Sequence, residues 1–188
     1  MLPRNLIRTV HVLIAAAVLA GGLAGTTGAA DTAAEAPFGD KVSAALVNYN
    51  RATPYIGTSG KYDPAAAAEI KALGFVTAID LRAPDEEGVP ETAQAIRAAG
   101  LTYVNIPVTT KAPTDDQVKA FARLVEDPAN YPILVNCHSA NRVGAMWALY
   151  RAGAGVPAEV AIEEGRTVGL KPSREPAVRE RLGAPAMN

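Results

Sequence analysis

The chain has 188 residues, one cysteine (Cys137) and two histidines (His11 and His138). That count leaves no partner for a disulfide within the chain and too few ligands for a Cys/His zinc site. Hydrophobic residues make up 49%, charged residues 20%, and the formal net charge is -1, a balance that suits a globular domain and gives no support to nucleic-acid binding.

The first segment reads as an export signal. Arg4 and Arg8 form a basic start, Val10–Leu23 is an uncharged apolar run, and Gly28-Ala29-Ala30 supplies small residues for cleavage before Asp31. The run is short for a span of about 20 residues, so residues 1–30 are expected to be removed, with no stable membrane insertion afterwards. The product would be periplasmic or secreted. It would have 158 residues, a net charge of -3, and Cys137 and His138 as its only Cys and His. An exported protein seldom keeps an unpaired thiol unless it is buried or used for chemistry. Residues 31–46 read as a polar, Ala-rich tether, and 47–188 as one domain.

Strands and helices then alternate. Tyr55–Ser59 reads as a strand. Asp63-Pro64 caps a helix that ends near Leu73-Gly74. Phe75–Leu81 is a buried strand, Glu91–Ala99 a helix, and Leu101–Val108 a strand. Thr114 and Gln117 form a capping box. The helix behind it places Val118, Phe121, Ala122 and Val125 on one face. Ile133–Asn136 is a short strand, and Val143–Ala152 an apolar, central helix carrying Trp147. Helices near Pro157–Glu164 and Ser173–Leu182 close the chain. This order predicts an α/β fold with a mostly parallel central sheet flanked by helices. Glu163-Glu164 and Arg174, Arg179 and Arg181 read as solvated helix faces. Tyr55 and Tyr62 are candidates for the rim of a pocket.

The chemistry falls where the last strand ends. Cys137-His138-Ser139-Ala140-Asn141-Arg142 runs from a buried strand into a helix, at the carboxyl edge where open α/β sheets bind ligands. Unpaired N–H groups and the helix dipole make that junction an anion site. The same field favours the thiolate of Cys137. Arg142 adds donors shaped for a tetrahedral oxyanion. His138 is the immediate neighbour of Cys137 and badly placed to serve as its base.

NCHSANRVG, with the upstream order GTSG, LGFVTAIDLR and AAGLTYVNIPV, resembles the cysteine-dependent phosphatase superfamily. The closest likeness is to bacterial dual-specificity-phosphatase-like domains, also found as the phosphatase-like part of beta-lactamase-hydrolase-like proteins. It covers about Asn48 to Leu182. The resemblance implies that Cys137 is the nucleophile and Arg142 the oxyanion clamp, with the amides of His138, Ser139, Ala140, Asn141 and Val143 completing the phosphate loop. It implies no metal and no organic cofactor. The substrate would be a phosphorylated protein or small molecule.

The chain departs from the family pattern at several points. Four residues separate Cys137 from Arg142, as in the bacterial subfamily, where most of the wider superfamily has five. Asn136 stands where a His is usual, Ala140 where a Gly is usual, and Val143 where Ser or Thr often follows the Arg. Ala140 would be strained by about 1–3 kcal/mol if its position needs positive φ. Thr109-Thr110 occupies the place of the usual acidic residue. Asp115 and Asp116, the next carboxyls, read first as ordinary helix-start charges and second as candidates for the general acid.

Two other readings stay open. Ile79-Asp80-Leu81-Arg82-Ala83-Pro84-Asp85-Glu86-Glu87 resembles the D-V-R-x-x-x-E segment of rhodanese-like sulfurtransferases, in which a Cys carries a persulfide. The glycine-histidine-rich stretch that follows in those domains is missing. Asp80 and Arg82 would form an ion pair orienting the Cys loop. The third reading is a non-catalytic anion-binding module.

Overall fold

The computed structural model describes residues 40–186; the expected export signal lies outside them. Five strands form one sheet: β1 (Asn50–Thr53), β2 (Ile56–Ser59), β3 (Thr77–Asp80), β4 (Thr102–Asn105) and β5 (Ile133–Asn136), in the order β1-β2-β5-β3-β4. β2, β5, β3 and β4 run parallel, and β1 is an antiparallel edge joined through an irregular register. The helices are α1 (Ala67–Ala72), α2 (Val89–Ala98), α3 (Asp115–Val125), α4 (Asn141–Gly153), α5 (Ala158–Thr167) and α6 (Glu175–Leu182). The sheet is therefore mostly parallel, as expected.

The side-chain alternation of a strand sorts the core into two layers. Ile133 and Val135 of β5, with Ile79 of β3, pack against Phe121 and Met146 on one face. Leu134 and Ala78 point the other way, to Ile70, Phe75 and Ile96. Trp147 is core, as expected. A third cluster joins Ala145, Ala148 and Leu149 of α4 to Ile162, Leu170 and Val178. α4 is thus covered on both sides, which explains its apolar circumference. Its close approach to α5 requires glycine: a Cβ on Gly144 would stand 2.5 Å from the Gly165 carbonyl and 2.1 Å from the Leu170 nitrogen.

Local signals act as expected. The Asp63 side chain accepts from the Ala65 amide, and the capping box of Thr114 and Gln117 is formed. Residues 40–46, expected within the tether, pack on the domain instead, because Arg51 donates to the Asp40 carboxylate through two nitrogens and Leu46 enters the core. β1 had no sequence signal: Asn-Arg-Ala-Thr has neither apolar run nor alternation, and β2 recruits it as an edge.

Candidate active site

The four parallel strands end in register on Ser59, Asn136, Asp80 and Asn105, a polar row across the carboxyl edge of the sheet. Asp80 is the charge in that row and is fully buried. Arg82 answers it, donating from Nε at 3.0 Å and from Nη2 at 2.7 Å, so the expected ion pair is present. The Arg82 amide and the Tyr103 hydroxyl also donate to Asp80, and the Tyr62 hydroxyl donates to Asn136 Oδ1. Burial, and then the charge of Asp80, push the phenols of Tyr62 and Tyr103 well above their ordinary range. Ser59 Oγ and Asn136 Nδ2 are buried with no partner among the described residues.

The Cys loop stands on this floor. Its carbonyls are held from outside: Lys61 N donates to His138 O at 2.9 Å, and Asn48 Nδ2 to Ser139 O at 3.3 Å. Gly60 permits the approach, since a Cβ there would lie 3.1 Å from His138 O. With carbonyls tied outward, the amides are left over. Those of His138, Ser139, Asn141, Arg142 and Val143 donate to no acceptor among the described residues. α4 starts at Asn141, two residues before the expected start at Val143, so Asn141 and Arg142 sit in its first turn. Ala140, just before the helix, has φ 63. The strain foreseen for an alanine at this position is therefore present. Its methyl packs on Gly169, where an added Cβ would stand 2.5 Å away.

Cys137 is buried to 1% exposure and lines an open cleft of about 450 Å³ with Arg142, His138, Ser139, Asn141, Val108, Thr109, Glu86 and Arg174. Arg142 is clamped by Glu86 through two nitrogens, at 2.5 and 2.7 Å. The same pair lowers the Glu86 carboxyl to about 2 and raises the Arg142 guanidinium, with the Cys137 side chain adding to the latter. After Glu86 and a 3.4 Å bond to Val108 O, Nε and one Nη2 hydrogen of Arg142 are left for a ligand. A thiol, a fixed guanidinium and four residues with unpaired amides (His138, Ser139, Asn141 and Arg142) thus line one cleft, an arrangement that binds an oxyanion.

The other expected site residues lie elsewhere. Asp115 and Asp116 open α3 and do not line this cleft. Arg181 donates to Asp115 and to the Pro113 carbonyl, holding that helix start against α6, and Asp116 is 99% exposed. Both are helix-start charges. Tyr55 stacks on Tyr131 at the opposite end of β2 and β5, far from the rim. Arg174 and Arg179 do not form a solvated face. Arg174 enters the cleft, and Arg179 is buried between Glu159 and Glu175. Glu164 likewise binds Trp147 Nε1 and Arg151. The two charged cleft residues not assigned a role from sequence are Glu86 and Arg174. Glu86 stands at the acidic position of the D-V-R-x-x-x-E likeness, but that spacing does not show its partner, because Glu86 meets Arg142 across 56 positions; Arg174 has no spacing signal.

A parallel sheet with a Cys-x4-Arg cradle at its carboxyl edge defines a cysteine-phosphatase-like α/β domain. Residues 48–154 match the family model described as beta-lactamase hydrolase-like protein, phosphatase-like domain, and the chain belongs to that family. No curated protein matches the chain. Among solved structures, a phosphatase candidate from Neisseria meningitidis is 27% identical with a TM-score of 0.60, covering 75% of this chain and 97% of its own. TpbA of P. aeruginosa, in complex with phosphotyrosine, is 18% identical with a TM-score of 0.56, covering 77% and 94%. The Siw14 catalytic core is 15% identical with a TM-score of 0.61, covering 78% and 89%. The last two similarities concern the fold.

Proposed function

We propose that this chain is an exported cysteine-dependent phosphatase that cleaves a phosphate monoester through a phosphocysteine. The observation that carries the reading is that Cys137, Arg142 and the unpaired amides of His138, Ser139, Asn141 and Arg142 belong to residues lining one cleft. Cys137 Sγ, as thiolate, attacks phosphorus. The bond from phosphorus to the ester oxygen breaks, and that oxygen leaves with the electron pair. Arg142 and the amides hold the three equatorial oxygens as charge shifts onto them. Water then attacks the phosphocysteine, releasing inorganic phosphate and restoring the thiolate.

The cleft governs which esters react. Among the described residues lining it, the single carboxyl is Glu86, held ionised by Arg142 and so without a proton to give. Leaving groups therefore depart with little protonation. Aryl phosphates with acidic phenols should be cleaved about 10²–10⁴-fold faster than alkyl phosphates. A rate independent of the leaving group's acidity would require a proton donor that this cleft lacks.

The deciding experiment offers an activated aryl phosphate, and separately thiosulfate with cyanide, to the purified protein and to Cys137→Ser. Phosphate release lost in Cys137→Ser supports the phosphatase reading. Thiocyanate formation would replace it with the sulfurtransferase reading. Tight phosphate binding without either turnover would leave an anion-binding module. Export is tested by N-terminal sequencing of the protein from the periplasm or medium, which should begin at Asp31; an intact Met1 in the cytoplasm would overturn it.

A further inference from the structure

Arg174 immediately precedes α6 and reaches the cleft that holds Cys137 and Arg142. It is fixed from two sides. Its Nη1 donates to the carbonyls of Thr110 at 2.5 Å and Lys111 at 2.8 Å. The Asn141 side chain, from the first turn of α4, binds Lys171 N at 2.9 Å and Ser173 Oγ at 3.0 Å. The residue that follows the Cys loop thus also anchors the segment that presents Arg174. Nε and Nη2 of Arg174 meet no acceptor among the described residues.

Its charge is unanswered. Among the described residues, every other arginine that is not exposed has a carboxylate partner: Arg51 has Asp40, Arg82 has Asp80, Arg142 has Glu86, Arg151 has Glu164, and Arg179 has Glu159 and Glu175. Arg174 has none among the described residues. A partly desolvated cation without a counter-ion is costly to keep. Desolvation, and then the charge of Arg142, lower its affinity for its proton. One phosphoryl group in the cradle is already served by the loop amides and Arg142. A second negative group is what the remaining donors and the remaining charge match.

We propose that Arg174 determines specificity by selecting substrates that carry a second anionic group, phosphate or carboxylate, beside the phosphoryl group bound in the Cys137–Arg142 cradle. The proposal rests on the phosphatase reading only for the fate of the first group, not for the binding of the second.

The competing role for Arg174 is a tether for residues 109–111. Two substitutions separate the roles. Arg174→Gln keeps a donor for the two carbonyls and removes the charge, whereas Arg174→Lys keeps the charge. In the full chain carrying Cys137→Ser, binding of inorganic phosphate and of pyrophosphate is measured by calorimetry. Pyrophosphate should bind more tightly. Arg174→Gln should reduce that ratio about tenfold or more, the size of one charge-assisted hydrogen bond, and Arg174→Lys should retain more of it. In the active protein, the kcat/KM ratio of 2-carboxyphenyl phosphate to phenyl phosphate should fall in parallel if carboxylate serves as well as phosphate. Loss of only the pyrophosphate preference assigns phosphate as the second group, and loss of only the other assigns carboxylate. Ratios that do not change in Arg174→Gln, or that fall equally in Arg174→Lys, overturn the proposal. Because the calorimetry needs no turnover, a failure of Cys137-dependent phosphate release would sink the phosphatase reading and leave this one decided on its own.

Discussion

Two Arg–carboxylate pairs draw on one short stretch, residues 80–86, and they do opposite things. Asp80 and Arg82 pair within it, at the end of β3, with side chains 0% and 3% exposed. Glu86 reaches out of it to Arg142 on α4, with side chains 31% and 11% exposed. In the first pair Tyr103 and the Arg82 amide take up further acceptor capacity of the carboxylate, so its charges serve the frame. In the second, the carboxylate fixes one side of the guanidinium and leaves donors free beside Cys137. Burial decides the difference. A dry pair must satisfy itself, whereas a pair at a cleft wall can hold a charge in readiness for a ligand.

Breaking the dry pair should have the larger effect on stability. Asp80→Asn leaves Arg82 charged and buried, at a cost of about 3–5 kcal/mol, read from urea denaturation; a loss below about 1 kcal/mol would mean that Arg82 finds another acceptor. Breaking the wall pair should instead appear in catalysis. Glu86→Gln frees Arg142 to wander, and kcat/KM for an aryl phosphate should fall about 10²-fold, while stability changes by less than about 1 kcal/mol. Equal effects on both readouts would erase the contrast. Acid sharpens it. The folded Glu86 carboxyl lies at about 2, below its ordinary 4.5. Its stabilising share is therefore fully present above 4.5 and fades as pH falls from there toward about 2. The difference in urea midpoint between the wild type and Glu86→Gln should close across that window and be flat above it. The smallest effect is expected in the loop between the two pairs. Ala140→Gly relieves about 1–2 kcal/mol of left-handed strain, but gives up about 0.8 kcal/mol for a buried methyl and about 0.4–1 kcal/mol of chain entropy. Its urea midpoint should stay near the wild-type value.

How far the sequence carried depends on the range of each interaction. Asp63, Thr114 and Gln117 announce helix starts because their partners lie two or three residues away. β3 and β5 are legible because burial on both faces demands continuous apolar runs. Asp80 and Arg82 are legible for the same reason of proximity. Glu86 is not, since its partner is fixed by how β3 and β5 lie side by side, a relation without trace in spacing. Arg174 was hidden differently. It stands just before α6, and Arg179 and Arg181 lie in the last turn of that helix; in sequence the three read as one basic segment, and only its packing against the residues after β4 separates their roles. Asp115 and Asp116 show the reverse case: their place in the first turn of α3 is legible as helix-start charge, while nearness in sequence to the missing acid also suggested a second role, in a cleft that they do not line.

One methyl group sits between Ala140 and Gly169, and the two positions do not trade it freely. Gly169 has φ +119, where any side chain is strained, and a Cβ there would meet the Ala140 methyl at 2.5 Å. Moving the methyl to the other side, by Ala140→Gly with Gly169→Ala, removes the methyl contact but leaves the new Cβ 2.9 Å from the carbonyl oxygen of residue 140, and leaves the backbone strain at residue 169. Substitution at this contact therefore has a direction. Position 140 can lose its side chain at almost no penalty and regain it later, while position 169 is closed to both steps. Drift in the Cys137 loop of such a chain is confined to one partner of the pair, and the turn behind it acts as the fixed reference against which that drift is tolerated.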